Sequence, residues 1–202
     1  MATRNPLVVG ADGLPQALQP GDTLGGALDG NVTAATVGYR CWTYDPVLSA
    51  TTRTLASNNI YAALTAPGVA IANATVLNVE CNVVTAGVTF TYARVGVYKY
   101  DASTGTSTQI GLSADLSAVF NSTGAKVVPI TLSAAVAATD LLYVAVLSNA
   151  TTSVTLSSVA SNMTAGRGTP FRSGAYIGPT TLPTTFTQAN LASSANLPFF
   201  AF

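Results

Sequence analysis

At 202 residues the chain has room for one large domain, or a domain with an extension, and can bury a real core. Its eight basic and eight acidic residues are scattered and cancel, and it has no histidine; this excludes a basic nucleic-acid footprint, imidazole metal ligands and any Ser-His-Asp or Cys-His nucleophile. Mean hydropathy is +0.42, yet the apolar residues are mainly Ala and Val dispersed among Thr, Ser, Asn and Gly, and no run approaches the ~18–20 residues of a membrane-spanning helix.

Residues 1–35 read as an extended arm. Pro6, Pro15 and Pro20, with glycines at 10, 13, 21, 25, 26 and 30, forbid a long helix or a central strand. Leu7, Val8, Val9, Leu14, Leu18 and Leu24 interrupt this stretch as apolar anchors, which a disordered linker would lack. The expectation is an arm that docks onto another protein. No apolar stretch of signal-peptide length accompanies the early Arg4, so secretion by that route is not expected.

Residues 36–202 read as one β-domain. Thr36–Tyr44 is expected to be a strand carrying Trp42, which ends at Asp45-Pro46, and Ile60–Leu64 a short apolar strand ended by Ala66-Pro67-Gly68. Ala74–Val84 sets Leu77, Val79, Cys81 and Val83 against Val76, Asn78, Glu80 and Asn82, the pattern of a half-exposed strand. Thr89–Asp101 alternates most clearly. Ala93, Val95 and Val97 fall on one face; Phe90, Tyr92, Arg94, Tyr98 and Tyr100 fall on the other. Asp101–Gly105 is a turn leading into a return strand, Thr106–Leu112. Leu112–Ser122 is helical or irregular. Lys126–Leu132 is a strand that Pro129 confines to an edge or bulge, and Leu141–Leu147 is apolar on both sides and fully buried. Ser148–Thr152 reads as a turn and Ser153–Val159 as a strand. Ala165–Gly168 and Ser173–Pro179 read as glycine-rich loops before the hydrophobic end Leu197–Phe202. Many short strands, no long helical period and no fixed repeat specify an all-β fold: a β-sandwich or jelly roll behind an N-terminal arm.

Chemistry is sparse. Most of the carboxylates, Asp12, Asp22, Asp29, Asp45, Glu80, Asp101, Asp115 and Asp140, sit at turns or strand ends, and Glu80 with Asp101 is the one pair that could be drawn as a glycosidase couple. No cofactor motif is present: the glycine clusters neither follow a strand nor open a helix. Cys41 and Cys81 are two buried thiols or one disulfide; both readings stay open. Five N-x-S/T sequons, at Asn31, Asn73, Asn121, Asn149 and Asn162, are what a chain rich in Asn and Thr contains by chance. Tyr92, Arg94, Tyr98 and Tyr100, together with Trp42, are candidates for core packing, a subunit interface or a glycan-contact face.

The order of segments resembles a known module. NNIYAALTAPGVAIANATVLNVECNVVTAG is followed by RVGVYKYDASTGTSTQIGLSAD, by STGAKVVPITLSAAVAATDLLYVAVLSNATT and by the closing PTTLPTTFTQANLASSANLPFFAF. This looks like a β-sandwich module of tailed-bacteriophage structural proteins of minor tail or fibre type, and the arm resembles leader segments of phage virion proteins. The resemblance implies a non-enzymatic virion component, homotrimeric or otherwise symmetric, contacting other tail or capsid proteins and in some cases a host surface glycan. Tail and head placements stay open, the second being a capsid decoration or head-fibre protein. The rival from another class is a carbohydrate-binding module of a bacterial surface protein. Low charge gives little colloidal protection, which fits a surface covered by partners.

Overall fold

The computed structural model describes residues 7–9, 15–17, 34, 38–44, 51–160, 170–193 and 196–202. The chain divides into two compact units, Met1–Thr33 and Ala34–Phe202. In the first, β1 (Leu7–Val9) pairs antiparallel with β2 (Pro15–Ala17). Leu14, Leu18 and Leu24 lie outside the described residues.

The second unit is all-β apart from short helical turns. Its strands are β3 (Thr51–Thr54), β4 (Asn59–Thr65), β5 (Val76–Thr85), β6 (Val88–Asp101), β7 (Thr106–Leu112), β8 (Gly124–Thr131), β9 (Leu141–Thr152), β10 (Thr155–Ala160), β11 (Ser173–Ile177), β12 (Thr185–Thr187), β13 (Ala192–Ser193) and β14 (Asn196–Pro198). One helical turn, α1 (Ser117–Phe120), connects β7 to β8. The larger sheet runs β12-β7-β6-β9-β4-β11-β13, and the smaller runs β14-β10-β5-β8 with β3 also on β10. Every pairing is antiparallel.

The main core lies between the sheets. The larger sheet contributes Ala93, Val95 and Val97 of β6 with Val144 and Val146 of β9; the smaller contributes Leu77, Val79, Cys81 and Val83 of β5 with Val128 and Ile130 of β8. Alternation on β5 and β6 follows the residue pattern because one-residue slips would carry every valine to the wrong face. Phe90 is an exception: β6 shifts register between Phe90 and Tyr92, and Phe90 packs on the main core rather than beside the tyrosines. A second shift, between Val97 and Tyr98 on β6, places an extra residue, Ile110, in β7. There Gly111 is so close to β8 that a Cβ would stand 2.7 Å from Ile130 Cγ2, and the Ser133 N–H donates to Ile110 O at 2.7 Å, joining the two layers along this side.

The last residues complete the smaller layer. Ala201 bridges Trp42 on one side and Glu80 on the other. The Thr43 N–H donates to Phe200 O at 2.9 Å and the Phe202 N–H to Cys41 O at 3.1 Å, while Phe200 is 1% exposed. This insertion separates Cys41 from Cys81, which are buried free thiols. Two strand spacings amount to roughly 9–10 Å, too far for a disulfide.

Several segments differ from their sequence reading. Ser148–Thr152 is the end of β9, not a turn, and Ser173–Ile177 is a strand, not a loop. Around Trp42 the described residues form turns and an isolated bridge rather than a continuous strand. Strands β3, β12, β13 and β14 are only two to four residues long, too short to show a side-chain period, and pairing with a distant partner is what makes them extended.

Candidate functional site

The tyrosine-bearing face of β6 lies on the outside of the larger sheet, yet it is largely covered. A second core there gathers Ile60, Tyr98, Tyr100, Tyr143 and Leu147 from the sheet with Leu182, Phe186 and Leu191 from the segment after β11. Tyr98 is 0% exposed; its hydroxyl donates to Pro183 O at 2.8 Å and accepts from Gln109 Nε2 at 3.0 Å. Tyr143 is closed in the same way: its hydroxyl donates to Phe171 O and accepts from Gln188 Nε2 at 2.9 Å. Burial pushes both phenols well above their ordinary range. Tyr98 and Tyr100 are therefore packed against their own chain. Tyr92 and Arg94 remain half-buried at the margin, with the guanidinium 5.9 Å from the Tyr92 ring centre and Arg94 Nη1 donating to Ser113 O at 3.0 Å.

Beside Tyr92 the surface opens into a cleft of about 540 Å³, whose lining includes Asn58, Thr89, Tyr92, Asn149, Thr180 and Thr181. Asn149 organises it. Its Oδ1 accepts the Asn58 N–H at 2.7 Å and its Nδ2 donates to Thr180 O at 3.0 Å, so one buried amide pins two rims. The Leu182 N–H donates to the Tyr92 hydroxyl at 3.1 Å. Asn58 and Thr89 have φ of 61° and 50°. That left-handed conformation is tolerable for Asn but strained for a β-branched Thr.

Trp42 lines a different groove of about 340 Å³ with Thr43, Leu64, Leu141, Pro170 and Arg172. Arg172 Nη2 donates to Thr43 O at 3.0 Å, and Thr65 Oγ1 donates to Trp42 O at 3.0 Å. Trp42 thus does not join the tyrosine face. In the N-terminal unit Leu7, Val8 and Val9 form β1.

The carboxylates do structural work where they are described. Asp101 Oδ1 accepts from the Ser103 N–H and hydroxyl and Oδ2 from Thr104, which lowers its pKa, and Gly105 closes that turn at φ 66°. Ser117 does the same for Asp115. Lys99 pairs with Asp140 at 2.6 Å and holds that carboxyl below its usual range. Glu80 accepts the Tyr39 hydroxyl at 2.6 Å on the smaller sheet, whereas Asp101 ends β6 in the larger one, so the two do not converge as a couple.

The outer face of the smaller sheet is open. Val76 and Val84 of β5 and Val127 of β8 are 54%, 43% and 54% exposed. Pro129 lies opposite Asn78, and Val127 opposite Glu80. Asn82 Nδ2 donates to Ser157 Oγ at 2.7 Å, so the polar groups of this face are largely paired within it. Alternation in β5 marked this face as exposed. The Asn58–Asn149–Thr180 cleft had no signal in the sequence, because its three rims are distant along the chain. No protein-family model matches the chain, and no curated protein matches it.

Proposed function

We propose that the chain is a non-enzymatic structural protein of a bacteriophage particle, of fibre or minor tail type, attached through its N-terminal arm and self-associating as a trimer through the β-sandwich. The family reading comes from the order of sequence segments. The observation that carries the assembly reading is the uncovered outer face of the smaller sheet, where Val76, Val84 and Val127 stand exposed. Glu80 and Asn82 already hold side-chain hydrogen bonds, from the Tyr39 hydroxyl and to Ser157, that contact with a second copy would leave in place. A second copy of the same chain fits as the occupant: with eight positive and eight negative charges, copies meet without net repulsion.

Light scattering on the full chain tests this. The wild type gives the mass of a trimer, and Val127→Lys, which places a charge on the face without touching the core, gives a folded monomer. A monomeric wild type, or a trimer indifferent to Val127→Lys and Val76→Lys, would remove the assembly reading. Labelling of purified particles with an antibody to the chain then separates tail from head placement.

A further inference from the structure

The cleft beside Tyr92 holds hydrogen-bonding groups that the fold itself does not use. Among the described residues, the side-chain amide of Asn58 and the hydroxyls of Thr89, Thr180 and Thr181 make no hydrogen bond, although all four line the same space. The Tyr92 hydroxyl accepts from the Leu182 N–H, which leaves its own proton for donation. None of the lining residues is charged. The volume of about 540 Å³ lies within the range of small-molecule sites.

We infer that this cleft binds a neutral saccharide of one or two rings. An amide and several hydroxyls offer both donors and acceptors, which is what the hydroxyls of a sugar require. The Tyr92 ring and the threonine methyls supply apolar surface for the C–H face of the ring. An anionic ligand would find no cation in the lining, and a wholly apolar one would strip water from these polar groups without replacing their hydrogen bonds. The rims are preorganised: the buried Asn149 ties Asn58 to Thr180, and Thr89 is held in a strained left-handed conformation at the edge. The site belongs to a single chain and does not depend on the particle or on the assembly face.

The experiment is a TROSY titration of the full chain with glucose, galactose, N-acetylglucosamine, lactose and cellobiose, with glucuronate as the charged comparison. The expected result is a saturable shift with at least one neutral sugar, confined to residues 57–58, 89–92, 149–151 and 180–181. Asn58→Gly removes the amide yet suits φ 61°, and Thr180→Ala keeps the backbone carbonyl that Asn149 uses. Each variant stays folded and weakens binding about tenfold, the effect of a lost hydrogen bond. No saturable shift with any neutral sugar, a response to glucuronate alone, or binding unchanged in both variants overturns the inference. A monomer that binds sugar keeps it while removing the assembly reading; a trimer without any sugar response does the reverse.

Discussion

The Tyr98 hydroxyl donates to the Pro183 carbonyl at 2.8 Å, tying the outer face of β6 to a segment 85 residues further along. The bond fixes the residues just before β12 against the outer face of the larger sheet. Tyr98→Phe removes both short bonds of the hydroxyl and leaves Gln109 Nε2 and the Pro183 carbonyl only their long 3.5 Å bond to each other, and is expected to cost about 1–3 kcal/mol in urea unfolding. Phe186→Ala, which empties the space between Tyr98 and Tyr143, is expected to cost about 3–5 kcal/mol. Wild-type stability in both variants would mean that the segment is a loosely held flap.

Gly111 tests how tightly the layers are joined. A methyl there meets Ile130 Cγ2 at 2.7 Å and the Thr131 carbonyl at 3.3 Å, and backbone cannot step aside cheaply. Gly111→Ala is expected to destabilise by about 1–3 kcal/mol through overpacking. An unchanged denaturation midpoint would show that β7 and β8 can part at no cost.

The closing residues are a structural part of the sandwich, bridged to Trp42 and Glu80 through Ala201. Phe200→Ala removes a ring that is 1% exposed and is expected to cost about 3–5 kcal/mol. Thr43→Val should also destabilise, since Thr43 Oγ1 donates to Pro198 O and accepts the Phe200 N–H, both at 3.0 Å. Thermal unfolding of the two variants checks both; a change confined to solubility, with the melting temperature unmoved, would count against this role.

Stability should be flat between about pH 5 and pH 8, because the chain has no histidine to titrate there. On the acid side Asp101, Asp115 and Asp140 have lowered pKa values in the folded state. Their contribution is present above the unfolded carboxylate value and is lost as pH falls through the folded one. On the alkaline side burial raises Cys41 to about 11 and Cys81 to about 12. Their contribution is complete below the ordinary thiol value of 9.0 and is lost as pH rises from there through the folded values. Melting temperature against pH reads both limbs, and a step near pH 6.5 would contradict the account. Thiol reagents at pH 8 should modify neither cysteine faster than the chain unfolds.

Legibility in the sequence followed contrast between faces. On β5 the alternation of Leu77, Val79, Cys81 and Val83 with polar neighbours made the buried side readable, and the apolar run in β9 marked a central strand. Pro129 announced the edge position of β8, where the missing N–H leaves no ladder bond unmade. Strands β3 and β12, four and three residues long, were too short for a period to show. Gly174 looked like loop chemistry, although it is the residue that lets Leu191 close on β11, where a Cβ would lie 2.9 Å from Leu191 Cβ.

By itself, then, the sequence determined an all-β sandwich, its inward faces and the Asp101 turn, because these rest on side-chain period and on bonds between residues close along the chain. Only the tertiary structure decided that Tyr98 and Tyr100 are covered, that Ala201 lies between Trp42 and Glu80, and that Asn58, Asn149 and Thr180 share one cleft. Each of those depends on which distant segments meet, and a local pattern of polar and apolar residues does not encode the partner across the fold.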